Sequence, residues 1–179
     1  MSQDNVKDHT AQYSPDIMEV KSQYLKDCSF ENPNAPQSFK VQQQPKIGVG
    51  INLNAAHLGE NEYEVTLHLE AHAEMQDKDS LFLASVEYCG VFAVSEQTSE
   101  DELQLLLLVE APALLFPYAR HIIADMTREG GFPALSIANV DFARLYQEKK
   151  AEGQIDKVGK APKKGQINGD VKQASKALN

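Results

Sequence analysis

The chain has 179 residues, 42% of them hydrophobic, with a formal net charge of -9, which is enough length to bury a core of its own and makes one domain the default. Residues 151–179 hold six Lys against three acids, and the remaining 150 residues hold eleven Lys and Arg against twenty-three acids, so the acidic body repels phosphate backbones and no nucleic-acid partner is expected. Two cysteines, Cys28 and Cys89, are too few and too far apart for a disulfide framework or a zinc site, and a reducing cytoplasmic location fits best.

Residues 1–15 are polar, lack the basic-then-apolar order of a secretion signal, and read as a disordered leader. A folded domain is expected over 16–150. Its first strand is a weak one, Val20 to Phe30, after which Pro33 and Pro36 each remove a backbone donor and must leave the sheet. Ile47, Val49, Ile51 and Leu53 then alternate with Gly48, Gly50, Asn52 and Asn54, the period of a strand with one dry face. Tyr63, Val65, Leu67, Leu69 and Ala71 alternate with Glu62, Glu64, Thr66, His68, Glu70 and His72, which predicts a third strand with an acidic outer face. Leu81 to Phe92 is apolar on both faces. Short hairpin-like connections favour an antiparallel arrangement of these four strands.

Helices follow. Thr98 or Ser99, with Asp101 and Glu102 at capping-box distance, starts a first helix through Val109. Pro112 suits the first turn of a second, longer helix running to Glu129, where Gly130-Gly131 stops it, and Pro117 predicts a kink. Leu114, Leu115, Tyr118, Ile122, Ile123 and Met126 cover more than one stripe of that helix, more than one sheet face can bury. A second subunit is therefore expected against Leu115, Tyr118, Ile122 and Met126. Phe132 to Val140 reads as an extended apolar loop, and Asp141 caps a short last helix carrying Phe142, Leu145 and Tyr146. Residues 151–179, rich in Lys, Gly, Gln and Ala, read as a disordered tail. Strands first and helices afterwards define an α+β domain: a four-stranded antiparallel sheet, a long kinked helix and a short C-terminal helix.

Catalytic and metal readings fail on spacing. On a strand His68 and His72 stand about 13 Å apart, too far to share one ion at bonds near 2 Å. The longest apolar run, Leu105 to Val109, is far short of a membrane span, so no stable membrane insertion is expected. His121 has no recognisable nucleophile beside it and reads as a surface or satisfied core histidine. Cys28 reads as a buried thiol, and Gly48-x-Gly50 lies within a strand and precedes no helix, unlike a phosphate loop. With no triad, carboxylate pair or cofactor fingerprint, neither an enzyme nor a cofactor is expected.

Four segments in order resemble the SecB protein-export chaperone family. They are Lys26-Asp27-Cys28-Ser29-Phe30-Glu31-Asn32-Pro33-Asn34-Ala35-Pro36; Tyr63-Glu64-Val65; the run Leu115-Phe116-Pro117-Tyr118-Ala119-Arg120 with its continuation to Pro133; and Val140-Asp141-Phe142-Ala143-Arg144-Leu145-Tyr146. The resemblance implies an ATP-independent chaperone that binds unfolded precursor proteins, keeps them translocation-competent and delivers them to the SecA translocase ATPase. It further implies a homotetramer, a dimer of dimers in which edge strands join sheets and the long helices lie between sheet layers. A chaperone of the same family dedicated to a single client, such as an antitoxin, is the alternative.

A promiscuous holder needs exposed aromatic and aliphatic surface, and backbone able to meet an extended chain. Phe39, Phe132, Leu135, Ile137, Phe142 and Tyr146 lie in or beside segments bounded by proline and glycine and are the candidates for unfolded polypeptide, unless they close the core beneath the loops. For the motor, the resemblance implies Asp27, Glu31 and the outward Leu83. Ser85 stands where the family often has an acid, and Glu87, two residues on, points the same way.

Overall fold

The computed structural model describes residues 17–40, 44–75, 80–153 and 165–171. The expected leader, residues 1–15, lies outside the described residues, as do residues 154–164 and 172–179 of the expected tail. Four long strands, β1 (Met18–Glu31), β2 (Lys46–Gly59), β3 (Glu62–Glu74) and β4 (Ser80–Val94), form an antiparallel sheet in the order β1-β4-β3-β2. Alternation sets its dry face: Ile51, Leu69 and Val86 pair across three strands, as do Leu53, Leu67 and Tyr88. Side chains of this face on β3, from Val65 to Ala73, are fully buried.

The tail departs from its expectation. Gly165–Val171 forms a fifth strand, β5, antiparallel to β2 from Val49↔Val171 to Ala55↔Gly165. The composition of this segment is loop-like, yet its order alternates small or apolar residues (Gly165, Ile167, Gly169, Val171) with polar ones (Gln166, Asn168, Asp170). Backbone hydrogen bonds to an open edge do not require large side chains.

β1 is interrupted twice. Its register slips between Val20 and Ser22 and again between Leu25 and Asp27, leaving Lys21 and Lys26 as extra residues. Because side chains alternate with a period of two, the second slip decides which face carries everything after it. Leu25 pairs with Tyr88 on the dry side, whereas Asp27 pairs with Glu87 on the outer side.

Ser99 caps the first helix, α1 (Glu100–Leu105), by accepting the Glu102 N–H at 3.3 Å. The expected break before Pro112 does not occur. A π-helical turn, Leu106–Glu110, carries the chain directly into α2 (Ala111–Glu129), with the Ala111 N–H reaching the Leu106 carbonyl. The wider turn makes room for the Pro112 ring, which would collide with the carbonyl four residues earlier in a regular helix. The continuous helix, Glu100–Glu129, is long and apolar enough by length and composition to cross a membrane, unlike the short run noted in the sequence. Here Leu107, Leu108, Leu115, Ala119 and Ile123 are buried on the sheet. The helix crosses obliquely, with the π turn over β2, α2 over β3 and β4, and Gly130 against Phe30 of β1.

After α2 the chain doubles back along it to α3 (Phe142–Ala151), capped by Asp141, which accepts the Arg144 N–H. Thr127, fully buried, fastens the return: its hydroxyl lies 3.0 Å from the Ile123 and Ala124 carbonyls and accepts the Leu135 N–H at 2.9 Å. Arg120 donates to the Asn139 side chain further along. Thr127→Val keeps the shape but strands the Leu135 N–H, and is expected to lower unfolding free energy in urea by about 1–3 kcal/mol. Thr127→Ser should recover most of that loss in the same titration.

Candidate functional site

Four phenylalanines meet where α2 ends. Phe132 lies 5.1 Å from Phe82, 5.4 Å from Phe39 and 6.4 Å from Phe30, and Phe30 stacks on Phe82 at 5.8 Å. The Gly130-Gly131 stop makes this possible. A Cβ on Gly130 would stand 2.2 Å from the Phe30 ring, and one on Gly131, whose φ is +87°, would stand 2.8 Å from the Phe39 ring. The glycines thus end the helix and let two rings lie against bare backbone. Phe39 is 51% exposed, so the cluster opens to solvent. Of the expected polypeptide-binding residues, Phe39 and Phe132 belong here, and half-buried Leu135 follows on the same returning segment.

Ile137, Phe142 and Tyr146 do not line an exposed surface. They are buried, Phe142 edge-on to Phe116 at 5.8 Å, and the Tyr146 hydroxyl donates to Gln104 at 3.0 Å. These three close the core beneath the returning segment. Phe30 and Phe82 join the cluster without having been among the expected residues: Phe82 alternates onto the dry face of β4 and Phe30 lies near the end of β1.

On the opposite face, strand register brings together Asp27 with Glu87 and Glu31 with Leu83. Ser85 pairs with Ser29 and with Glu70 of β3, and its hydroxyl is hydrogen-bonded to His68 Nε2 at 2.8 Å. Glu70, absent from the expected residues, therefore places a carboxylate beside Ser85. Asp27, Glu31, Glu70 and Glu87 form no ion pair among the described residues. The face therefore carries a net negative charge, with Lys26 as the cation beside Glu87.

Beside this acidic field lies a neutralised patch. Tyr24 donates a hydrogen bond to Glu64, and Lys26 Nζ stands 3.1 Å from the same carboxylate. The hydrogen bond from Tyr24, aided by Lys26, holds the Glu64 carboxyl below its usual range despite partial burial. The same bond pushes the Tyr24 phenol up to about 12. Next to them Cys89 is buried, its thiol donating to Thr66 at 3.3 Å, and burial pushes it up. Cys28, expected to be buried, is exposed, because α2 reaches β1 only near Phe30.

That uncovered part of β1 bears on the expected subunit contact. Leu25 is 44% exposed and Tyr118 of α2 is 52% exposed, with Tyr118 stacked at 5.6 Å on Tyr88, the register partner of Leu25. Ile122 and Met126 continue the Tyr118 stripe half-buried. Leu115 does not belong to it: its side chain is fully buried against Gly90, leaving no surface for a second subunit. His121 lies on the polar side of α2, 3.3 Å from Asp125.

An exposed aromatic cluster thus stands across the sheet from an acidic face that forms no ion pair among the described residues, an arrangement suited to holding polypeptide. The family model for preprotein translocase subunit SecB matches residues 11–153. Curated relatives named protein-export protein SecB include one from Rhodopseudomonas palustris, 48% identical over 79% of this chain and 89% of its own length. Another, from Paramagnetospirillum magneticum, is 44% identical over 75% of this chain and 86% of its own length. The fold resembles that of a SecB-like chaperone from Mycobacterium tuberculosis solved with an antitoxin peptide, with TM-score 0.58 and 16% identity, covering 69% of this chain and 91% of that one. The chain belongs to the SecB family of protein-export chaperones, a non-enzymatic family whose members bind precursor proteins.

The Tyr24–Glu64–Lys26 cluster predicts a pH window. Glu64, with its folded value lowered, contributes stability above its ordinary value of 4.5 that is lost as pH falls through the folded value. Tyr24, raised to about 12, contributes stability that is fully present below its ordinary 10.0 and is lost as pH rises from there through about 12. In thermal melts across pH, Tyr24→Phe should remove the alkaline loss between those two values and shift the acid limb toward higher pH.

Proposed function

We propose that the protein holds unfolded precursors at the Phe30–Phe39–Phe82–Phe132 cluster in the cytoplasm and passes them to the SecA translocase ATPase through the outer face of β1 and β4. The observation that carries this reading is the solvent-open aromatic cluster, which gives a sequence-tolerant anchor for apolar side chains of an extended chain. Leu135, on the segment fastened by Thr127, extends the apolar surface past Phe132. Asp27, Glu31, Leu83 and Glu87, with Glu70 beside Ser85, form the motor contact, where unpaired carboxylates around an apolar residue favour a cationic partner.

The assembly is a homotetramer, a dimer of dimers. The free edge of β1, with exposed Leu25, joins two sheets, and Tyr118, Ile122 and Met126 pack between layers. Export of many precursors, rather than service to a single client, is supported by the curated relatives at 41–49% identity, all named for protein export. Residues 1–15 and 151–179 flank a chaperone domain of 16–150 in this reading, with part of the C-terminal stretch added to the sheet.

Phe39→Ala and Phe132→Ala are expected to weaken binding of a chemically denatured precursor severalfold in fluorescence titrations, with native mass unchanged. Phe142→Ala should instead cost about 3–5 kcal/mol of stability, as for other buried aromatics. Equal precursor affinity in both cluster variants would exclude the assignment. Asp27→Lys should abolish capture by immobilised SecA while leaving precursor affinity intact, and normal capture would remove Asp27 from the contact.

A further inference from the structure

β5 occupies the one edge of the sheet that leads away from β1, and its pairing is the kind that another chain can replace. It meets β2 over seven consecutive register positions without a slip. Two of its seven residues are glycines, at positions 165 and 169, which lose the most conformational freedom on ordering and add no side-chain packing. A strand with higher β propensity would form the same backbone ladder more favourably. Eleven residues separate Gly153 from Gly165, so the segment competes for the edge as part of the same molecule.

The edge also lies close to the aromatic cluster. Phe82 pairs with Ala73 of β3, and Ala73 with Ile47 of β2, so two strand spacings, roughly 10 Å, separate the Phe82 row from the β2 edge. Ile47 stands two residues ahead of Val49, where β5 stops. Among the described residues, Lys46–Gly48 of β2 therefore has no partner on that side, at the end of the edge nearest the cluster. An extended chain with a side chain seated on Phe39, Phe82 and Phe132 reaches that end within a few residues. Strand addition uses backbone groups that every polypeptide has, which suits a client defined by being unfolded rather than by sequence.

We infer that Gly165–Val171 is an internal competitor of the client: it covers the β2 edge from Val49 to Ala55 until an extended segment of non-native polypeptide adds there in its place. This rests on the chaperone reading above. It gives the C-terminal segment a defined action, that of raising the threshold for client capture and covering the edge when the cluster is empty.

The test compares the full chain, Asn168→Pro and a chain ending at residue 153, with reduced, carboxymethylated lactalbumin as the probe. Proline holds φ at about −65°, away from the extended value of a strand, and so weakens β5 without touching β2. If the segment holds the edge in two-thirds to nine-tenths of molecules, both variants bind the probe about three- to tenfold more tightly. The free peptide Gly165–Val171 should compete with the probe for the truncated chain. Amide exchange within Val49–Ala55 should be slow in the full chain, fast in Asn168→Pro, and slow again once the probe is bound. Affinities equal to that of the full chain in both variants overturn the inference, as does a probe that leaves Val49–Ala55 exchange in Asn168→Pro as fast as without it. Protection that fades on dilution assigns the covering strand to a second copy and overturns the internal form. Absence of probe binding in all three proteins removes the chaperone reading instead, and the exchange of Val49–Ala55 without probe still reports whether the segment covers the edge.

Discussion

One helix cannot cover four strands. A helix with its side chains is about 10–12 Å across, whereas four strands at about 4.8 Å spacing present a wider dry face. The chain lays its helix obliquely, so that the π turn, α2 and Gly130 bury β2, β3 with β4, and Phe30 in succession. The middle of β1 is left bare, and Leu25 and Cys28 are exposed on the side that would otherwise be core. The proposed subunit contact and the aromatic cluster are the two places where this incomplete cover ends, one along the helix flank and one at its C-terminus.

The two sides of the sheet remain separate because β1 changes phase. Without the slip, Lys26 would face Glu87, and Asp27 would continue the Leu25 alternation toward the helix side and bring its charge to the bare apolar strip. With it, Asp27 joins Glu87, and Cys28 and Phe30 return to the dry side opposite Val86 and Ala84. A single register slip therefore divides the apolar side of β1 from its acidic side. Lys26 also neutralises Glu64, which separates it from Asp27, Glu31, Glu70 and Glu87 on the same face.

Period-two alternation in β2, β3 and β4, the Ser99 cap and the Gly130-Gly131 stop were all legible from the sequence, because each is set by local chemistry. What was not legible depended on pairing. Pro112 reads as a helix start until a π turn absorbs it. Phe142 and Tyr146 look like loop-bordering aromatics until the returning segment is fastened by Thr127, which buries them. Leu115 shares a stripe pattern with Tyr118, and only the contact with Gly90 separates the buried residue from the exposed one. Glu70 belongs to the acidic face through register with Ser85, information that no single strand carries. β5 had a period-two signal of its own, hidden by a composition that usually marks a linker.

The lysines at the two slips of β1 have a further consequence. An edge strand that is straight and apolar can accept copies of itself without limit, growing a ribbon rather than a closed particle. On β1 the ladder is broken at Lys21 and Lys26, and both side chains are charged and exposed. A second β1 can match such an edge only in a register that places its own irregularities opposite, a condition that a twofold pair satisfies and an endless stack does not. For a protein whose clients are themselves unfolded and ready to stack, that irregular edge keeps the carrier from becoming a seed.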